Sequence, residues 1–360
     1  MSACMQIRFS EILLEWYCQN GRNLPWRETH NPYVIWISEV ILQQTQIKQG
    51  YDYFIRFMKR FPDVYALAGA SEDEVLACWQ GLGYYSRARN LHAAARQIVA
   101  MGGFPATYEG IRSLKGVGEY TAAAIASFAY GLPYAVVDGN VYRVLSRYFG
   151  IEEPIDASSG KKYFASLAAD LLPADRAADY NQALMDFGAM QCTPKSPDCV
   201  NCPLADSCVA LAENKVSVLP YKSRKTSVTK RFLSYIMIRH DGAFAFFKRT
   251  GQDIWKGLYE PFLIEVPDSD KDSDSYNQVV RLLDNKGFLS SANTGFSCLA
   301  TGIRHQLTHR TIICDFYLLD LSFRPNEDVF GRQPVWITPD EFEHFAMPQL
   351  VVQLIEKIHI

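Results

Sequence analysis

No run of about 18 uninterrupted apolar residues occurs in the 360-residue chain, which excludes a membrane-spanning helix on length alone. Excess positive charge is also missing: the formal net charge is −3, which argues against a globally basic nucleic-acid binder and leaves only a local basic patch open. The nine cysteines are odd in number and uneven in placement, with Cys4, Cys18, Cys78, Cys298 and Cys314 scattered and four packed between Cys192 and Cys208. A disulfide framework does not look like this in a chain of such length, so the cluster points to a metal. No fixed-period repeat is visible. The opening stretch, Met1 to Cys18, has acids inside its apolar run and no small-residue cleavage signature, so no signal peptide is expected. The expected compartment is the cytoplasm.

What is present suggests two domains: ample length, 48% hydrophobic residues, 21% charged residues and a raised aromatic content of 13%. From Phe9 to about Ala212 the apolar spacing is helical, as in Phe9, Ile12, Leu13, Trp16 and Tyr17, or Ile37, Val40 and Ile41 after Asn31-Pro32. Further helices are expected near Tyr51–Arg60, Ser71–Gln80, Arg87–Met101, Tyr142–Tyr148, Lys161–Leu172 and Asp179–Ala189, punctuated by glycine and proline. Between Lys215 and Arg231 come six basic residues and no acid, which reads either as a linker along a polyanion or as a solvated tether. Strands are expected after it at Phe232–Ile238, Ala243–Phe247, Tyr259–Ile264, Ile312–Leu319 and Val335–Thr338, with helices near Tyr276–Asn285 and Gln349–Ile355 and an acidic surface loop at Asp268–Ser275. The fold class is therefore mainly α, with a smaller α+β domain at the C-terminal end.

Three features carry chemistry. In Leu114–Val141, Gly116 and Gly118 lead into an Ala-rich helix that stops at Gly131 and Pro133. Free N–H groups at such a helix start form a seat for a phosphate. Asp138 follows, and on these residues alone it reads equally as a catalytic carboxylate and as the cap of the next helix. Cys192, Cys199, Cys202 and Cys208 form a soft four-thiolate set, and their spacing leaves zinc and an iron–sulfur cluster both open. Glu39 interrupts an apolar helical stretch. Buried there, it would keep a proton near neutral pH and suit a general acid, whereas a lone Glu is more commonly exposed. The polar run Gln43-Gln44-Thr45 directly after it favours function, because such side chains at a helix end reach base edges.

Together SEVILQQTQ, GLGYYSRARN, LKGVGEYTAAAI, VDGNVYRVL and the four-cysteine loop resemble the helix-hairpin-helix DNA glycosylase superfamily, and within it the adenine DNA glycosylases of the MutY type, over about Arg22 to Cys208. The resemblance implies a two-lobed glycosylase domain over 1–214 with a 4Fe-4S cluster on Cys192, Cys199, Cys202 and Cys208, a basic linker over 215–230, and a Nudix-like domain over 231–360. It makes Gly116 and Gly118 the hairpin that grips the DNA backbone, Glu39 the catalytic acid and Asp138 the catalytic aspartate. Tyr120 and Asn140 orient these two. Arg22, Leu24, Trp26, Arg27 and Gln182 match positions around the adenine pocket, although Leu24 and Trp26 read equally as core. Gln44 and Tyr84 match residues that wedge into the space the base leaves, Leu82 stands in the same GLGYY motif, and Thr45 matches a contact to the opposite base. Lys115 departs from the family's usual proline and is expected to loosen the hairpin.

Endonuclease III-like enzymes carry a lysine where this chain has Tyr120, and a tyrosine forms no imine with the sugar, so a monofunctional glycosylase is expected. The partner implied is duplex DNA with adenine opposite 8-oxoguanine or guanine, bound by a monomer. The cluster would hold a loop, with Lys195 nearby, against phosphates. In the C-terminal part, Trp255 to Phe262 matches the Nudix strand-turn motif, while the acidic Mg²⁺-binding helix is missing and no pyrophosphatase activity is expected. His305 to His309 matches the family's H-x-F-S-H loop with Leu307 and Thr308 substituted, so that Thr308 and His309 face the oxidised base. Without the resemblance, two histidines four apart read as surface residues. The alternatives are an endonuclease III-like glycosylase/lyase on oxidised pyrimidines and a non-catalytic iron–sulfur DNA-binding protein.

Overall fold

Hydrophobic spacing and punctuation place most elements where they form. In the computed structural model, which describes residues 3–223, 228–265, 275–289 and 295–357, Asn31 caps the helix Pro32–Leu42 by accepting from the Tyr33 amide at 3.0 Å. That helix packs against Glu119–Tyr130, whose Ala122, Ala123, Ala124 and Ala126 are all buried. Small side chains let the two backbones approach, which brings Glu39 of one helix beside Tyr120 of the other. The chain divides by contacts into two compact units, residues 1–69 with 90–225, and residues 70–89 with 226–360. No helix among the described residues is long and apolar enough to cross a membrane.

The first unit is helical. Between Tyr108–Arg112 and Glu119–Tyr130 lies the turn with Gly116 and Gly118, both exposed. Gly116 is required twice over: its φ is +75°, and a Cβ there would fall 2.6 Å from the Cβ of Asn90. The Lys115 amide donates to the Gln97 side chain at 2.7 Å, a bond that a proline would forbid. The departure from the family's proline therefore comes with a tether of its own.

The second unit is built on a seven-stranded sheet. Its strands are β1 (Thr229–His240), β2 (Ala243–Lys248), β3 (Tyr259–Glu260), β4 (Phe262–Glu265), β5 (Gly295–Gln306), β6 (Arg310–Asp320) and β7 (Val335–Ile337). Their order is β3-β2-β1-β6-β5, with β4 also on β1 and β7 on β2. β1 and β6 run parallel in the centre, and the other pairings are antiparallel. Successive residues of β1 feed opposite faces: Leu233, Tyr235 and Met237 join one apolar cluster, Ile236 and Ile238 the other. Sequence spacing missed β5 and joined β3 to β4, which Pro261 separates. Residues 70–89 pack with this unit: Lys248 Nζ meets the Asp73 carboxylate at 2.5 Å, and the Met347 amide donates to Gln80 at 2.9 Å. The expected acidic loop lies outside the described residues apart from Ser275, which opens the helix Ser275–Asn285.

Candidate active site

Within the first unit a cavity of about 590 Å³ is lined by Arg22, Leu24, Trp26, Arg27, Glu39, Thr45, Tyr120, Asp138, Asn140 and Gln182, together with Lys48, Arg143 and Met185. Helix Pro32–Leu42 delivers Glu39, the start of Glu119–Tyr130 delivers Tyr120, and Asp138 and Asn140 come from the start of Gly139–Phe149. Leu24 and Trp26 line this cavity and are also buried, Trp26 packing edge-to-face with Phe54.

The two carboxyl groups sit in different surroundings. Glu39 is buried in the cavity wall, and burial pushes its pKa up to about 7; the hydroxyl of Tyr120, donating to Oε2 at 2.8 Å, and the charge of Arg27 oppose the rise. Asp138 accepts from the amides of Asn140 and Val141 at 2.8 Å and from the Asn140 side chain at 2.7 Å. Burial raises its pKa too, against those three donors and the nearby Arg143. With three N–H donors against one O–H, Asp138 is the better host for negative charge and Glu39 for the proton. Asp138 is also the N-cap of Gly139–Phe149, so the capping reading is realised by the same side chain that lines the cavity.

Two residues that no motif singled out complete the wall. Tyr17 donates to Gln182 Oε1 at 2.7 Å and lies beneath the Arg27 guanidinium. Asp186, fully buried, accepts from both Arg22 and Arg27. Gln44 is not in this cavity; it is exposed and holds a left-handed φ of 59°.

Asp186 is followed by a π-helical turn, Phe187–Gln191, that leads into Cys192. Gly188 in that turn runs so close to Asn140 that a Cβ would fall 2.7 Å from Asn140 Cβ. Arg143 joins the regions, donating to Asn140 Oδ1 at 2.8 Å and to the Cys192 carbonyl at 2.7 Å. Arg147 donates to Cys192 Sγ at 3.4 Å and to the Thr193 carbonyl at 2.8 Å. Cys192, Cys199, Cys202 and Cys208 line one small cavity, although among the described residues no three His, Cys, Asp or Glu converge on a single-ion site. Burial pushes the Cys202 thiol up to about 11 and those of Cys199 and Cys208 in the same direction, so these three stay protonated until a metal displaces their protons. Four soft donors around one cavity with an arginine against a sulfur fit a 4Fe-4S cluster. Lys195 and Val200 of this loop are exposed.

A second cavity, of about 550 Å³ and wholly within the second unit, is lined by Leu82, Tyr84, Thr308 and His309 with Arg89, Asp253, Trp255, Leu307 and Arg310. The Tyr84 hydroxyl and Thr308 Oγ1 hydrogen-bond to each other. Tyr84, at φ 48°, and Trp255, at φ 61°, are held in the left-handed region that non-glycine residues rarely adopt. Of the basic 215–231 segment, Lys215 pairs with Glu152 and Glu213, and Arg231 with Asp253 and Glu265.

Residues 37–168 match the HhH-GPD superfamily of base excision DNA repair proteins, residues 192–208 the iron-sulfur binding domain of endonuclease III, and residues 234–357 the NUDIX domain. The four-cysteine loop is thus the binding site of an iron–sulfur cluster. An adenine DNA glycosylase of Buchnera aphidicola (subsp. Acyrthosiphon pisum) is 31% identical over 351 residues, 97% of each chain. Another from Rattus norvegicus is 44% identical over 226 residues, 59% of this chain and 44% of that relative. Among solved structures, a thermostable thymine-DNA glycosylase aligns with a TM-score of 0.54 at 30% identity, over 58% of this chain and 97% of that one. An endonuclease III–DNA complex aligns with a TM-score of 0.51 at 22% identity, over 59% and 99%, a likeness of fold.

Proposed function

Because the chain belongs to the adenine DNA glycosylase family, we propose that it hydrolyses the N-glycosidic bond of adenine opposite 8-oxoguanine, and more weakly opposite guanine, in duplex DNA. The observation that carries this reading is the pair of carboxyl groups in one cavity, Glu39 with its proton kept to about pH 7 and Asp138 with its charge met by three N–H donors.

A base stacked in a duplex is out of reach, so the adenine is flipped into the cavity. Protonated Glu39 gives its proton to an adenine ring nitrogen, N7, turning a poor leaving group into a neutral one. The C1′–N9 bond then breaks with its electron pair going to the base. Ionised Asp138 stabilises the oxocarbenium ion, or traps it, until water attacks C1′. Tyr120 holds the Glu39 carboxyl through its hydroxyl and offers no amine for an imine, so the strand stays intact until alkali treatment. Arg22, Arg27 and Gln182 present donors to the flipped base, and Gln44 and Tyr84 fill the space it leaves. Thr308 and His309 test the opposite base with a hydroxyl and an imidazole. The cluster stiffens the loop 192–208 when bound, and Lys195 on that loop faces phosphates.

Single-turnover reactions on duplexes with adenine opposite 8-oxoguanine, adenine opposite thymine, thymine opposite guanine, and thymine glycol opposite adenine test the proposal. Breaks only after alkali and only in the first duplex are expected. Breaks without alkali on thymine glycol would replace this reading with endonuclease III-like chemistry, and release of thymine from the third duplex with a thymine glycosylase.

A further inference from the structure

Asp186 makes no contact with the space a substrate would occupy, yet it organises the wall of the first cavity. It is the last residue of the helix Ala177–Asp186 and is fully shielded from water. The Arg22 amide and Nε donate to it at 3.0 and 2.9 Å, and Arg27 Nη1 and Nη2 at 2.7 and 2.8 Å. Burial alone would raise its pKa; the hydrogen bonds from Arg27 and Arg22 prevail and hold the carboxyl below the usual range, so it is ionised when the enzyme works. Both guanidinium groups also line the cavity that holds Glu39.

We propose that Asp186 is a positioning residue of this site, which fixes Arg22 and Arg27 as two oriented donors on the pocket wall and cancels charge that would otherwise strip the proton from Glu39. The inference rests on the general-acid reading of Glu39. Two cations beside one buried anion leave one net positive charge. Without the anion two remain, and positive charge favours the ionised form of a nearby carboxyl. The groups facing Glu39 are Tyr120 from helix Glu119–Tyr130, Arg27 from the turn Pro25–Arg27, and Asp138 at the start of Gly139–Phe149; Arg22, Lys48 and Arg143 line the same cavity. Among the two arginines, Arg27 already opposes the rise in Glu39. Its pull is set by how firmly Asp186 holds it.

The test is the pH dependence of single-turnover adenine release at saturating enzyme, read as the position of the alkaline limb and not as amplitude. Asp186→Asn is expected to move that limb to lower pH by about one unit, a tenfold loss above it. Asp186→Asn with Arg22→Gln restores the net charge and should bring the limb back toward its original position, even with weaker DNA binding. Arg22→Gln alone, at a partly exposed side chain, should move the limb to higher pH and supplies the test should Asp186→Asn not fold. A rate that falls equally at every pH in these variants, with the limb unmoved, would overturn the proposal and leave Asp186 a structural ion-pair partner. A wild-type profile with no alkaline limb would instead refute the general-acid reading itself.

Discussion

The two cavities handle charge in opposite ways. In the first, Glu39 is withdrawn from water, Asp138 is half-buried, and an acid behind the wall, Asp186, is fully buried under two arginines. In the second, Tyr84, Thr308 and His309 are exposed, and the comparable acid, Asp253, meets Arg231, Arg249 and Arg310 with 29% of its side chain still open. Desolvation is what lifts a carboxyl into the range where it trades a proton at neutral pH, and water would abolish it. Reading a base edge needs only donors that can be reached, in a frame that does not move. On the proposed function, the left-handed backbone at Tyr84 and Trp255 belongs to a base-reading frame of that kind.

The largest effect that sharpens the contrast is on chemistry in the first cavity. Asp138→Asn should lower adenine release about 10³-fold in single turnover, because the charge that meets the oxocarbenium ion is gone. It should leave thermal stability nearly unchanged, since Asn also caps helices, whereas Asp138→Ala should lose a further ~1 kcal/mol by denaturation. Equal stability of the two variants would mean the cap is immaterial.

Next are the acids behind the walls. Asp186→Asn breaks a buried pair and should cost about 3 kcal/mol or more in chemical denaturation. Asp253→Asn, partly exposed and screened, should cost no more than about 1 kcal/mol. Equal costs would break the comparison.

Glu39→Gln should both slow the enzyme strongly, to a residual rate without the alkaline limb, and stabilise it in a pH-dependent way. A folded pKa raised from 4.5 to about 7 means that the wild type is unpenalised below 4.5 and loses stability as pH rises through 7. The variant should therefore match wild type near pH 4.5 and exceed it by up to about 3 kcal/mol above pH 7. A constant difference across that window would show that Glu39 stays ionised.

In the second cavity Thr308→Val should reduce the preference for 8-oxoguanine over guanine about tenfold, the worth of one hydrogen bond, with the single-turnover rate on the preferred duplex little changed. A rate loss equal on both duplexes would place Thr308 outside base selection.

Much of this was legible in the sequence because local rules carry it. Apolar spacing located the longer helices from Phe9 onward, though not the short Val64–Gly69, Tyr108–Arg112 and Val209–Ala212, and four of the seven strands, and glycine and proline marked their ends. β5 was missed because Gly302 interrupts it, it pairs through register shifts, and most of its residues are exposed, so no alternation marks it. Residues 70–89 read as one more helix and turn of the first part. Their allegiance to the sheet is set by Asp73 and Gln80, whose partners Lys248 and Met347 lie far along the chain. Motifs named many of the residues that line the two cavities, though not Lys48 and Met185 in the first or Asp253 and Arg310 in the second. They missed Asp186 and Tyr17, whose partners lie 159 to 165 positions away and whose surroundings exist only once the helices pack.

The central claim is that Glu39 holds a proton near neutral pH while Asp138 holds a charge. The pH dependence of single-turnover adenine release from a duplex with adenine opposite 8-oxoguanine tests it directly. A rate that falls about tenfold per pH unit above 7, with the limb lost in Glu39→Gln, is the result predicted here. A rate unchanged from pH 5 to about 9, or an unchanged limb in Glu39→Gln, would contradict it.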